Sequence, residues 1–326
     1  MSNRLNPDFL AFDEDYEQTM ETVILPWLDS RRQSTTVSGS GGRPLYAAVY
    51  AAENPRATVT LVHGFTENEY KYAELIFSLL HNGFSVVGYD QRGHGRSWRK
   101  PGLQRLSDTH VDSFSEYVED LKAVTETVLA SLPRPWFVFS HSMGGAVTAL
   151  FLEQYPGIFD RAAFCAPMIA PNLSGLPVAA ASALCRSARM FSRGSRRVSF
   201  IPPYSGPEDF KTSAATDPVR FAWYDRIKAA HPEFQNNAPT YNWVLEALRV
   251  TRQILAPGAP EKITIPVFLS SAEEDTSVVS AEHQKFIDRV PNGRLITVPG
   301  SRHEIYRSPD KVLHPWWHQV LAFFSV

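Results

Sequence analysis

Six short runs rich in β-branched, aromatic and small apolar residues, at 58–62, 85–89, 136–139, 161–165, 265–269 and 294–298, alternate with longer helical patterns at 70–81, 112–132, 144–155 and 280–290. These runs read as buried parallel strands, since they lack the strict in-and-out alternation of a sheet with one wet face. In the 112–132 stretch Phe114, Tyr117, Val118, Leu121, Val124 and Val128 share one helical face. Strands alternating with helices of this length imply an α/β fold, a mostly parallel sheet covered by helices on both faces. A run at 45–51 is expected to add an edge strand, and 314–324 a closing helix.

The alternation breaks between 167 and 255, where Pro, Ser and Arg become frequent. This segment is read as an inserted cap (lid), with 1–166 and 256–326 forming the core. It carries 11 Lys/Arg against 6 Asp/Glu, a net +5 that leaves −7 for the rest of a chain whose total is −2. So balanced a total gives no case for a dedicated nucleic-acid binder. Cys165 and Cys185, the two cysteines, cannot build a disulfide framework and suit a reducing compartment. The first thirty residues carry Asp8, Asp13, Glu14, Asp15 and Glu17 and no apolar core after a basic start, so no signal peptide is read. No tract reaches the ~20 apolar residues that a bilayer-spanning helix needs. The expectation is a cytoplasmic protein, with membrane contact limited to the periphery of the inner membrane.

The sharpest motif is Ser140-His141-Ser142-Met143-Gly144-Gly145, directly after one strand and directly before a helix. A strand-to-helix turn this tight needs small neighbours and pushes its middle side chain, Ser142, above the carboxyl ends of the strands, as a nucleophile elbow does. A serine hydroxyl is a poor nucleophile at neutral pH, so a histidine must take its proton and an acid must orient that histidine. Beyond the cap, one strand is followed by Glu273-Glu274-Asp275 and the next by Ser301-Arg302-His303. His303 is the expected base and Asp275 the expected acid, with Glu274 second and Glu273 third. Met143, the residue after the nucleophile, supplies one expected oxyanion N–H, and Phe65, after Val62-His63-Gly64, the other. His63 and His141 are read as loop-packing residues. The glycines of 90–97 read as a structural turn, and His314 and His318 as members of a packed or surface helix, so no metal or organic cofactor is implied.

Together these motifs resemble the α/β-hydrolase superfamily, in its bacterial lysophospholipase and monoacylglycerol lipase branch. The resemblance spans most of the chain and rests on Val62-His63-Gly64-Phe65, Tyr70 to Leu75, Asp90 to Ser97, His141 to Gly145, Ala166-Pro167-Met168, Pro239 to Val244, Ala272-Glu273-Glu274 and His303-Glu304-Ile305. It implies an α/β-hydrolase fold with an inserted cap, nucleophile Ser142, base His303 and oxyanion donors Phe65 and Met143. Two departures stand out: Ser140 replaces the usual first glycine of the elbow, and the stretch from Asp275 to Val279 is one residue longer than the usual spacing, which keeps the acid open among Asp275 and its two neighbours.

No acidic residue lies between Asp160 and Glu208, whereas Arg186, Arg189, Arg193, Arg196 and Arg197 do, beside Met190, Phe191 and Phe200. Guanidinium groups interleaved with apolar side chains suit a phosphate headgroup or an anionic membrane surface. Leu173, Leu176, Trp223, Tyr241, Trp243 and Leu248 are candidates to line an acyl tunnel. The expected activity is serine-dependent cleavage of the carboxylic ester of a lysophospholipid or monoacylglycerol. The alternatives are a carboxylesterase for short soluble esters and a catalytically silent binding protein of the same fold.

Overall fold

Ala57–Val62, Phe84–Tyr89 and Val267–Ala272 are buried along their whole length, as strands covered on both faces must be. They belong to an eight-stranded sheet in a computed structural model that describes residues 5–325. Its strands are β1 (Gln33–Ser38), β2 (Pro44–Tyr50), β3 (Ala57–Val62), β4 (Phe84–Tyr89), β5 (Trp136–His141), β6 (Arg161–Cys165), β7 (Val267–Ala272) and β8 (Gly293–Val298). They lie in the order β1-β2-β4-β3-β5-β6-β7-β8, with β2 antiparallel to β1 and β4 and every other pair parallel.

The 45–51 run therefore does not form the edge, which belongs to β1. That strand is Gln-Ser-Thr-Thr-Val-Ser, exposed except at Val37, so it carries no apolar run by which to recognise it. Polar residues at an edge also discourage pairing with another chain.

Eight main helices accompany the sheet among the described residues: α1 (Ala73–His81), α2 (Ser115–Thr127), α3 (Met143–Gln154), α4 (Val178–Met190), α5 (Pro218–Ala230), α6 (Tyr241–Ile254), α7 (Ser280–Ile287) and α8 (Asp310–Ser325). Alternate strand residues feed two apolar cores. Val62, Val138 and Leu269 join α2, α3, α6 and α7 on one face, whereas Leu61, Phe139 and Phe268 join α1, α8 and an N-terminal helical stretch on the other. That stretch, spanning 13–29, buries Tyr16, Met20, Ile24 and Leu28 at four-residue spacing.

The 167–255 segment is anchored in both cores. Helix α6 brings Trp243, Ala247, Val250 and Ile254 to the first, and α5 brings Trp223 and Tyr224 to the second. Helix α4 lies against α6 and buries Ala181, Ser182 and Cys185, leaving the rest of its surface open. No helix among the described residues is long and apolar enough to cross a membrane.

Candidate active site

Parallel strands emit their connecting loops at one edge of the sheet, so β3, β5, β7 and β8 deliver four loops to a common point. Ser142 stands at the turn from β5 into α3 with φ 49° and ψ −118°. A non-glycine residue at positive φ is strained by ~1–3 kcal/mol unless its surroundings hold it. Here the Ser142 N–H donates to the Cys165 carbonyl (3.1 Å), and its own carbonyl accepts from Met168 (2.8 Å) and Gly145 (2.9 Å). The glycines behind it are sterically required: a Cβ on Gly144 would lie 2.1 Å from the Val62 carbonyl oxygen, and one on Gly145 2.4 Å from Pro167 Cβ.

His303 Nε2 lies 2.7 Å from Ser142 Oγ, and His303 Nδ1 lies 2.8 Å from Asp275 Oδ2. The other carboxylate oxygen, Oδ1, accepts the Ser277 and Val278 N–H groups at 2.8 and 3.0 Å. Burial opposes ionisation of Asp275, but the His303 hydrogen bond and charge, with the two backbone donors, outweigh it and hold the carboxyl below its ordinary range. Its neighbours do other work. Glu273 accepts the Gly300 N–H at 2.7 Å, and Glu274 is exposed, 4.0 Å from Arg302.

Met143 opens α3, where a backbone N–H lacks a helical acceptor. Neither its N–H nor that of Phe65 donates to another backbone group among the described residues. Gly64 permits the approach of the Phe65 loop, because a Cβ there would lie 2.7 Å from Glu67 Oε2, 2.8 Å from His141 Nδ1 and 3.1 Å from Ser142 Cβ. The Phe65 ring packs on Trp243 with centroids 4.2 Å apart. Trp243, one of the tunnel candidates, thereby packs on the loop that carries the Phe65 N–H. Trp223 packs edge-on against Tyr16 in the far core, Leu248 is buried, and Leu176 is exposed.

His63 matches its packing role. It accepts the Gln91 N–H at Nε2 and donates from Nδ1 to the Gly64 carbonyl, and burial lowers its pKa to about 4, so it is neutral. The 90–97 turn is held by its own and neighbouring groups, with Asp90 accepting from the Glu69 and Arg96 N–H groups and the Gly93 carbonyl from Arg99 and Asn236. Two features escaped the sequence. Pro171 pairs with Val278, and Asn172 donates to the Ser277 carbonyl at 2.9 Å, so the start of the 167–255 segment braces the acid loop. A polar group of the buried Glu67, Tyr72, His141 and Tyr306 with the partly buried Lys71 and Glu304 also lies directly behind His303. The two cues were present, Glu67 in the Gly64 loop and Glu304 beside the base, but neither has a recognisable spacing.

The arginines divide into two groups. Arg186 and Arg189 face a cavity of about 620 Å³ with Arg249 and Arg252 of α6, while Arg193, Arg196 and Arg197 line another of about 450 Å³ with Phe191 and Tyr241.

This arrangement sets a Ser142–His303–Asp275 row on an α/β scaffold; the family model for serine aminopeptidase, S33, matches residues 53–310, and the chain belongs to that family. Within the α/β-hydrolase superfamily it falls in the lysophospholipase and monoacylglycerol lipase branch and is a carboxylic ester hydrolase. It is 31% identical over 312 residues to lysophospholipase L2 of Escherichia coli (strain K12), covering 90% of this chain and 88% of that one. It is 25% identical over 291 residues to the monoacylglycerol lipase of Mycolicibacterium smegmatis, covering 88% and 95%. Among solved structures, a soluble variant of the Saccharomyces cerevisiae monoglyceride lipase shares the fold with TM-score 0.69 at 20% identity, covering 90% of this chain and 95% of that one.

Proposed function

We propose that the protein hydrolyses the carboxylic ester of a single-chain lipid, a lysophospholipid or a monoacylglycerol, through an acyl-enzyme on Ser142. The unbroken row from Ser142 through His303 to Asp275, beside the two open N–H groups, carries this reading. His303 Nε2 takes the Ser142 proton as Oγ attacks the ester carbonyl. Asp275 fixes the tautomer and stabilises the imidazolium, and His303 returns the proton to the leaving alcohol. The N–H groups of Phe65 and Met143 stabilise the tetrahedral oxyanion, each by ~3 kcal/mol. Water activated by His303 then releases the fatty acid. None of these steps calls on a metal or organic cofactor.

The substrate class is supported by the names of the relatives above and by the surface of the 167–255 segment, which serves as the cap. Leu176, Val178, Leu184, Met190, Phe191 and Phe200 are exposed there, and Leu184, Met190 and Phe191 line the arginine-bearing cavities. A peripheral contact with anionic lipid through Arg186, Arg189, Arg193, Arg196 and Arg197 would bring the cap to its substrate. Changing all five to Gln is expected to abolish cosedimentation with phosphatidylglycerol vesicles while leaving short-ester hydrolysis intact. Unchanged sedimentation would refute the contact.

The deciding experiment compares wild type with Ser142→Ala on long-chain lysophosphatidylcholine, lysophosphatidylethanolamine, monoacylglycerol and a short p-nitrophenyl ester. A preference for a long-chain lipid, with a loss of ~10⁴-fold or more in the variant, is expected. Cleavage of the short ester alone would replace the lipid assignment with a carboxylesterase. No hydrolysis, and no labelling of wild type by a fluorophosphonate, would leave a silent binding protein.

A further inference from the structure

His141 immediately precedes the nucleophile, yet its ring turns away from Ser142. Nδ1 lies 3.0 Å from Glu67 Oε2, and Nε2 lies 3.1 Å from the backbone carbonyl oxygen of His303. Both partners are acceptors, an arrangement matched by an imidazolium that donates from both ring nitrogens. It is 2% exposed, where a lone cation would be untenable. Glu67 supplies the counter-charge. This carboxylate also accepts the Gly64 N–H (2.6 Å), the Lys71 ammonium (3.0 Å) and the Tyr72 and Tyr306 hydroxyls.

One ion pair therefore ties together two loops of the candidate site. Through Gly64 it holds the backbone just before the Phe65 N–H, and through the His303 carbonyl it holds the base. We propose that the His141–Glu67 pair is a positioning unit that sets His303 and the Phe65 N–H relative to Ser142, a role that rests on the triad reading above.

The groups facing His141 are His63, Glu67 and Lys71 from the loop after β3, Glu304, the His303 ring and Tyr306 from the loop after β8, and Cys165 from the adjacent strand β6. Burial works against its charge, but Glu67 and then Glu304 overcome this and the repulsion from Lys71, so its pKa is raised. The shift favours the charged ring, and loss of its proton on the alkaline side would leave a nitrogen facing an acceptor and open the strut.

The first test is ¹⁵N NMR of the histidine rings in wild-type protein at pH 7. Two protonated nitrogens on His141 are expected, and a neutral ring would overturn the proposal without any variant. The second test uses His141→Gln and Glu67→Gln, with active sites counted by fluorophosphonate titration. Each is expected to lower kcat per titrated site by ~10²-fold, the scale of a misplacement near 1 Å, with KM within about twofold. The double variant should lose no more than the worse single one, and the alkaline fall in wild-type kcat should be absent from His141→Gln. Unchanged kcat per site, multiplying losses, or a retained alkaline limb would each refute the positioning role. If wild type takes up no fluorophosphonate, the triad reading fails instead, which keeps the two failures apart.

Discussion

Replacing Asp275 by Asn tests the candidate charge arrangement with almost no change in shape. The side chain is fully buried, and its Oδ1 receives the Ser277 and Val278 N–H groups at 2.8 and 3.0 Å. Those donors require an acceptor, so the Asn amide oxygen must take that place and its NH₂ must turn toward His303. The ring can answer an NH₂ only with a lone pair on Nδ1, which moves its remaining proton to Nε2, pointing at Ser142 Oγ 2.7 Å away. A histidine in that tautomer cannot accept the serine proton. A switch of this kind costs ~10⁴ in kcat, about 5.4 kcal/mol of transition-state stabilisation. Because substrate contacts are untouched, KM should stay within a few-fold. Stopped-flow hydrolysis of a short p-nitrophenyl ester at pH 7, with a thermal melt to confirm folding, measures the effect. A loss below about tenfold would refute both the tautomer argument and Asp275 as the acid. Glu274→Gln is the control, since an exposed carboxylate away from other features changes energies by about 0.5 kcal/mol or less, so kcat should shift about twofold at most.

Gly64→Ala should lower kcat by ~10²-fold, the scale of a near-ångström displacement, because its Cβ would press on Glu67, His141 and Ser142 at once; an active variant would show that the loop can yield without consequence. Acid stability should depend on Glu304, whose carboxyl burial would raise but Lys71 and Arg307 hold down, to about 2 from 4.5. A carboxyl whose folded pKa lies below its unfolded value stabilises the protein above the unfolded value, and that contribution fades as pH falls from 4.5 toward 2. Thermal melts across this window should show a steeper loss for wild type than for Glu304→Gln, and parallel curves would refute the assignment.

The sheet was legible because its central strands are apolar throughout and punctuated by loops at regular intervals. The edge strand β1 was hidden by the same physics in reverse, for a strand open to water has no reason to be apolar. The 13–29 helical stretch had a readable period at Tyr16, Met20, Ile24 and Leu28, masked by the acidic residues on its outer face. That Ser142 and His303 would meet was legible because chain order and the loop after each strand limit where such side chains can stand. Which carboxylate meets His303 was less so: three in succession differ only in which one the turn directs inward, and the Ser277 and Val278 N–H groups hold Asp275 there. Sequence could not separate the arginines into two groups either, since Arg249 and Arg252 reach the first cavity from a helix more than fifty residues away.

The polar group behind His303 explains why so much charge is buried in one place. The sheet separates two apolar cores, and the loops at its carboxyl end contribute to both, Phe65 and Val278 on one side and Tyr72, Ile305 and Tyr306 on the other, so the polar group sits between them. Hydrogen-bonded charge ties them together there, with Nε of Arg307 the one buried nitrogen of that guanidinium left without a partner. Glu67 has five donors, Lys71 bridges Glu67 and Glu304, and Arg307 binds Glu304 at 2.6 Å and the carbonyls of Arg220 and Phe221. Helix α5, which contains those carbonyls, belongs to the 167–255 segment. The network therefore joins the segment, the base loop and the oxyanion loop in one rigid set. Removing a single member strands its partners without water, which is why a loss at Glu67 or His141 should reach the chemistry as well as the fold.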